Sequence, residues 1–135
     1  NCTLCGHRCG VDRAENEMGF CMMGFDAHIA KVMLHKWEEP CISGENGAGA
    51  VFFSGCSLRC AYCQNWEISH MKKGLAVDID RMRDIFDELA DQGAHNIDLV
   101  NPTHYVPFIA KAFKRYKKRI PVVYNSHGYD SVDAL

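Results

Sequence analysis

Apolar residues along this chain fall into three successive patterns. Over residues 1–25 they are sparse and follow no period, scattered among cysteines, glycines and polar side chains. From His28 to Trp37 apolar and polar positions alternate, the period of a strand or hairpin with one buried face. That stretch runs into Glu38-Glu39-Pro40 and the turn-forming Ser43-Gly44-Glu45-Asn46-Gly47. From Ala50 onward strand and helix signals take turns. Ala50 to Gly55 is a short, nearly continuous apolar run, as a strand covered on both faces requires. Residues 78–92 then place Ile79, Met82, Ile85, Phe86 and Leu89 on one helical face, with Asp78 as N-cap and Gly93 closing the end.

Asn96 to Val100 reads as a second strand. A second helix comes next, with Pro107 in its first turn and an apolar face of Phe108, Ile109, Ala112, Phe113 and Tyr116. Lys117, Lys118 and Arg119 fall where the helix dipole favours cations, so this basic run predicts a solvated helix end. Pro121 to Asn125 is a third strand, and a further helix is expected from Ser131. Strand–helix–strand alternation predicts right-handed crossovers and a parallel sheet. Three parallel strands leave faces and edges uncovered, so the expectation is an α/β fold truncated from a larger unit. The divisions expected are a cysteine-rich metal-binding segment at 1–25, a strand or hairpin and turn connection at 26–49, and the α/β part at 50–135.

Composition narrows the function. The 135 residues suffice for one modest domain with a core, and 17 acidic against 15 basic residues leave a net charge of −2. That balance offers no electrostatic footprint for nucleic acid. No apolar run approaches a membrane span and no signal peptide opens the sequence, so a cytoplasmic location is the default expectation. The eight cysteines change the picture most. Seven lie in two tight groups, Cys2, Cys5, Cys9 and Cys21, then Cys56, Cys60 and Cys63. Disulfides usually join distant segments, whereas a metal needs several thiolates at one point, so metal ligation and a reducing compartment are expected.

Cys56, Cys60 and Cys63 form C-x3-C-x2-C within Gly55-Cys56-Ser57-Leu58-Arg59-Cys60-Ala61-Tyr62-Cys63-Gln64-Asn65, directly after the first strand of the α/β part. The carboxyl ends of parallel strands are where such folds place their chemistry. Three thiolates can hold three irons of a cubane and leave the fourth open. On spacing alone, a structural zinc site completed by Cys41 or His70 is the competing reading.

The motif, with aromatic Tyr62 before its last cysteine, resembles the signature of the radical S-adenosylmethionine (SAM) superfamily. The flanking Phe53-Ser54-Gly55 and Gln64-Asn65 are similar to relatives of the pyruvate formate-lyase activating enzyme. Cys2-x2-Cys5-x3-Cys9-Gly10, Gly19-Phe20-Cys21 and Glu38-Glu39-Pro40 resemble the subgroup named after that enzyme. The resemblance implies a partial (β/α) barrel in which Cys56, Cys60 and Cys63 hold a [4Fe–4S] cluster whose open iron chelates SAM. It implies reductive cleavage of SAM to methionine and a 5′-deoxyadenosyl radical, an electron donor such as reduced flavodoxin or ferredoxin, and a glycyl-radical protein as substrate. Tyr62 would lie near the adenine.

One departure stands out. Many members carry Gly-Gly-Glu after the second strand, where it receives the SAM amino group; this chain has Val100-Asn101-Pro102-Thr103-His104-Tyr105. Asn101, Thr103 and His104 are the candidate replacements, with capping or packing the alternative for His104. Asn125, Ser126 and His127 end the third strand, where they either reach the ribose or make a turn.

Cys2, Cys5, Cys9 and Cys21 supply four thiolates, enough to close a tetrahedral zinc site, with a second iron–sulfur cluster as the alternative. The native N-terminus is expected to precede Asn1. Cys41 is expected to be a buried structural thiol. Glu38 and Glu39 are adjacent and would face opposite sides of a strand, which argues against a catalytic pair. Trp37 and Trp66 are expected in the core or at its rim, and Gly44 to Gly49 in a turn rather than a phosphate loop. Against the enzyme reading stands a non-catalytic zinc-binding module that mediates protein contacts.

Overall fold

The computed structural model describes residues 1–117 and 120–135. Five strands make one sheet: β1 (Ala27–His35), β2 (Ala48–Phe53), β3 (Leu75–Val77), β4 (Ile97–Val100) and β5 (Val122–Asn125), in the order β3-β1-β2-β4-β5. Strands β2, β4 and β5 run parallel, as the alternation predicted. The sheet is nevertheless mixed, because β1 pairs antiparallel with β2 and β3 antiparallel with β1. The reason lies in the connections. Parallel neighbours need a crossover, usually helical, whereas the 36–47 segment reverses the chain through one short helix, α1 (Pro40–Ser43). The alternating stretch at 27–35 thus belongs to the same sheet as the strands after it. A second short helix, α2 (Trp66–Ser69), lies between β2 and β3.

The longer helices that cover the sheet form where the pattern placed them. Helix α3 (Ile79–Asp91) is capped by Asp78, whose carboxylate accepts the Arg81 N–H at 2.7 Å. It ends before Gly93, which takes the left-handed conformation. Helix α4 (Val106–Phe113) carries Pro107 in its first turn. Met82, Ile85, Phe86 and Leu89 of α3 join Phe108, Ile109 and Ala112 of α4 in one core with Val51, Phe53, Ile97 and Leu99. Phe86 stacks on Phe113 at 4.5 Å, and Tyr116 meets it edge-on from beyond the helix. Each large side chain buried here contributes roughly 2–3 kcal/mol.

Four local expectations are corrected. Helix α4 stops at Phe113, so Lys117 lies past its end rather than in its last turn, and Lys118 and Arg119 fall outside the described residues. The expected helix at Ser131 is a single 3-10 turn, Val132–Ala134. Trp37 is 90% exposed and belongs to no core, and Trp66 is partly exposed and stacks on His70 at 3.5 Å. Cys41 sits exposed on α1, not buried. Among the described residues no helix is long and apolar enough to cross a membrane.

Candidate metal centre

Strand β2 delivers the chain to the carboxyl edge of the parallel strands, where Gly55 turns it sharply. Gly55 has φ +82°, and a Cβ there would overlap the Met23 side chain and lie 2.8 Å from the Cys21 carbonyl. Only glycine meets both conditions. The loop beyond it carries Cys56, Cys60 and Cys63, all half-buried free thiols, and ends at α2. Arg59 is also left-handed, at φ 49°, which folds the stretch between the first two cysteines. Two donors already address the sulfurs: the Leu58 N–H points at Cys56 Sγ (3.4 Å) and the Ser69 hydroxyl at Cys63 Sγ (3.3 Å). Donors to sulfur stabilise thiolate character and tune a bound cluster.

The base of the loop is braced by the segment that leaves β4. Asn101, left-handed at φ 58°, donates its amide to the Gly55 carbonyl at 3.0 Å. His104 Nε2–H donates to the Ser54 carbonyl at 2.7 Å. Burial, aided by the Arg13 charge, lowers His104 to about 4, so the ring is neutral and held in the core. Two of the residues singled out after β4 are therefore committed to the backbone that leads into the cysteine loop. Tyr62 lies at the other extreme, 91% exposed.

Thr103 leads to a group the sequence did not single out. Its hydroxyl donates to Asp130 Oδ1 at 2.5 Å, beside Tyr124 O–H at 2.7 Å on the same oxygen, while the Ser126 hydroxyl bonds Oδ2. Burial acts to raise the Asp130 carboxyl. The three hydroxyl bonds and the neighbouring His127 outweigh it and hold the group below its usual range. Three hydroxyls thus present one ionised carboxylate at the edge shared by β4 and β5. A carboxylate has about four acceptor positions, so capacity remains for a cationic donor. The signal missed was the spacing of hydroxyl residues: Thr103, Tyr124 and Ser126 converge only in the fold. Asn125 is exposed at the end of β5.

Asp98 is the other unforeseen group. Its register partners across the sheet are Ala50 and Val123, and it points away from the core side taken by Ile97 and Leu99. It is fully buried, and neither oxygen has a hydrogen-bond partner of normal geometry; Asn125 adds only a weak polar interaction. Burial first, then the charge of Glu38, raises its carboxyl to about 6.

The N-terminal cysteines occupy a different setting. Backbone bonds from Cys2 N–H to the Val11 carbonyl and from Gly10 N–H to the Cys2 carbonyl, both 3.0 Å, close this segment on itself. Arg13 fastens it to the body through the carbonyls of Gly24 and His104. Cys21 is buried, and burial raises its thiol despite the bond to the Met23 carbonyl; Cys2 and Cys5 lie close enough to act on it electrostatically. Cys9 is exposed. Among the described residues no three His, Cys, Asp or Glu side chains stand close enough together to hold a metal ion as they are arranged. Both cysteine groups nonetheless have the donor chemistry for one: free thiols, several per segment, with sulfur-directed donors at the central loop.

A profile of the radical SAM superfamily matches residues 50–134. An uncharacterized protein of Methanocaldococcus jannaschii is 32% identical in an alignment covering the whole chain and 41% of that protein. The chain therefore spans about two fifths of the length of this curated relative. No solved structure matches.

Proposed function

Since the chain belongs to the radical SAM superfamily, a membership that implies a [4Fe–4S] cluster and SAM, we propose that Cys56, Cys60 and Cys63 are the cluster ligands of an activating-enzyme-like member. When bound and reduced, such a cluster supplies the electron that cleaves SAM to methionine and a 5′-deoxyadenosyl radical, the species that takes hydrogen from a substrate. The observation that carries the proposal is the loop itself: three half-buried thiols in eight residues, placed by β2 at the carboxyl edge of the parallel strands.

The chain's own residues have definable tasks in this reading. Ser69 and Leu58 donate to ligand sulfurs. Asn101 and His104 hold the backbone at Ser54 and Gly55, so the first cysteine leaves the sheet in one direction. Asp130, with Thr103, Tyr124 and Ser126 behind it, offers a fixed negative charge suited to cationic SAM. Tyr62, exposed on the loop, is free to cover the adenine, and Asn125 and Ser126 stand at the edge where a ribose would lie.

Strands β2, β4 and β5 with their helices read as part of a (β/α) barrel. The partners that suit this chemistry are reduced flavodoxin or ferredoxin as electron donor and a glycyl-radical protein as substrate, in a cytoplasmic, reducing setting. The N-terminal cysteines are assigned a second metal, zinc or an iron–sulfur cluster, once their thiols close around it.

The test is anaerobic reconstitution followed by iron and sulfide analysis and incubation with SAM and dithionite. The reading predicts cluster iron and 5′-deoxyadenosine; Cys60→Ala should lose the 5′-deoxyadenosine and the iron of the SAM-binding cluster. Zinc at both cysteine groups and no iron would favour the non-catalytic module instead.

A further inference from the structure

The three-cysteine loop is gripped from outside the sheet at one residue, Ser57. Its side chain is fully buried although it lies next to Cys56 on a surface loop. Two of its polar atoms are taken by imidazoles from opposite ends of the chain. His7 Nε2 bonds the Ser57 carbonyl at 2.7 Å, and His127 Nε2 bonds the Ser57 hydroxyl at 2.7 Å. A carbonyl can only accept, so His7 donates from Nε2. At His127 the Tyr129 backbone N–H donates to Nδ1 at 3.1 Å, which leaves the ring proton on Nε2, pointing at the Ser57 oxygen. Ser57 thus receives two donors and keeps its own hydroxyl proton free to give.

The grip is stiff because the His7 ring is itself fixed. It stacks on Phe20 at 4.0 Å and meets Tyr129 edge-on at 5.2 Å. Phe20 in turn lies under the guanidinium of Arg59, 5.9 Å from the ring centre, so the same aromatic cluster touches the loop a second time. The two segments that carry the histidines are joined to each other. Gly6 N–H donates to the Tyr129 carbonyl and Ser131 N–H to the Leu4 carbonyl, both at 3.0 Å. A side chain at position 6 would collide with the Tyr129 ring.

We propose that His7 and His127 are positioning residues that clamp Ser57, so that the N-terminal cysteine-rich segment sets the shape of the Cys56–Cys63 loop. The inference rests on the cluster assignment for its functional meaning, but the clamp itself can be measured without a cluster. In cluster-free protein, the alkylation rates of Cys56, Cys60 and Cys63 are read by mass spectrometry. His7→Ala should raise these rates about fivefold, the change in local opening expected from losing one hydrogen bond. His7→Gln keeps an N–H donor and should recover most of the protection. Ser57→Ala, which removes only the His127 contact, provides an intermediate case should His7→Ala disturb folding.

In reconstituted, reduced protein, His7→Ala should also shift the cluster's midpoint potential, and His7→Gln should restore it. Unchanged alkylation in both His7→Ala and Ser57→Ala would overturn the clamp. A wild-type protein that shows protected thiols and no cluster would instead overturn the cluster assignment and leave the clamp standing.

Discussion

The two cysteine groups offer the same ligand chemistry in opposite architectural settings. The central group comes directly after a buried strand, lies within eight residues and is braced at its base by Asn101 and His104. The N-terminal group is spread over 20 residues, from Cys2 to Cys21, in a segment built of local turns, with left-handed residues at Arg8, Asn16 and Met22. It is tied to the body by Arg13, His7 and backbone bonds to the 129–131 stretch. The contrast indicates that thiol number and spacing suggest a metal, while the scaffold beneath the thiols decides its task. Three ligands on a braced loop can hold a cluster and leave a position open. Four thiols on a segment poor in core residues are enough for a closed coordination sphere, and a metal held that way acts chiefly to fold the segment that binds it.

The largest predicted effect sets the two groups directly against each other. Cys60→Ser should abolish the SAM-responsive cluster, measured as a loss of the iron and sulfide of one [4Fe–4S] unit, while the second metal stays in place. Cys9→Ser should do the reverse, losing the N-terminal metal and retaining the SAM-responsive cluster. Equal damage to both metals by either substitution would make the groups one site and end the comparison.

The next effect sharpens it by asking what the sheet contributes alone. Asp98 is raised in the folded state to about 6 from 3.8, so the folded protein binds more protons across that window. Stability therefore falls as pH rises from about 4 to 6, and Asp98→Asn removes the cost. We expect Asp98→Asn to stabilise the protein by on the order of 1–3 kcal/mol at pH 7 and by little below pH 4, measured by denaturant unfolding. The smallest effect concerns a single sulfur. Ser69→Ala removes the hydroxyl bond to Cys63 Sγ at a cost of about 1 kcal/mol of stability. It should also move the cluster potential to more negative values, because the reduced cluster has the sulfurs richer in charge. No change in potential would mean that Ser69 serves only its contact with His70.

How legible each part was depended on the sequence distance over which its residues cooperate. Helix α3 announced itself through five apolar residues at helical spacing and the Asp78 cap, all within 15 residues. The three-residue strand β3 and the four-residue helices α1 and α2 were silent, because each spans hardly more than one period of its pattern and so repeats nothing. The antiparallel entry of β1 was missed because alternation reveals a strand but not its direction. Asp98 stayed hidden since a central strand is expected to be apolar on both faces.

The same rule governs the site. Cys56, Cys60 and Cys63 advertise their chemistry at close range, and no long-range knowledge is needed to group them. Asp130 depends on Thr103, 27 residues away, and Ser57 on His7 and His127, 50 and 70 residues away. Such partnerships exist only after the sheet has brought its carboxyl edges together.

The measurement that bears most directly on the central claim is an electron paramagnetic resonance spectrum of the anaerobically reconstituted, reduced protein, recorded with and without SAM. The cluster assignment predicts a [4Fe–4S]⁺ signal that changes when SAM is added, and loss of that SAM-responsive signal in Cys60→Ser. A signal wholly indifferent to SAM, or a SAM-responsive one that persists in Cys60→Ser, would contradict it.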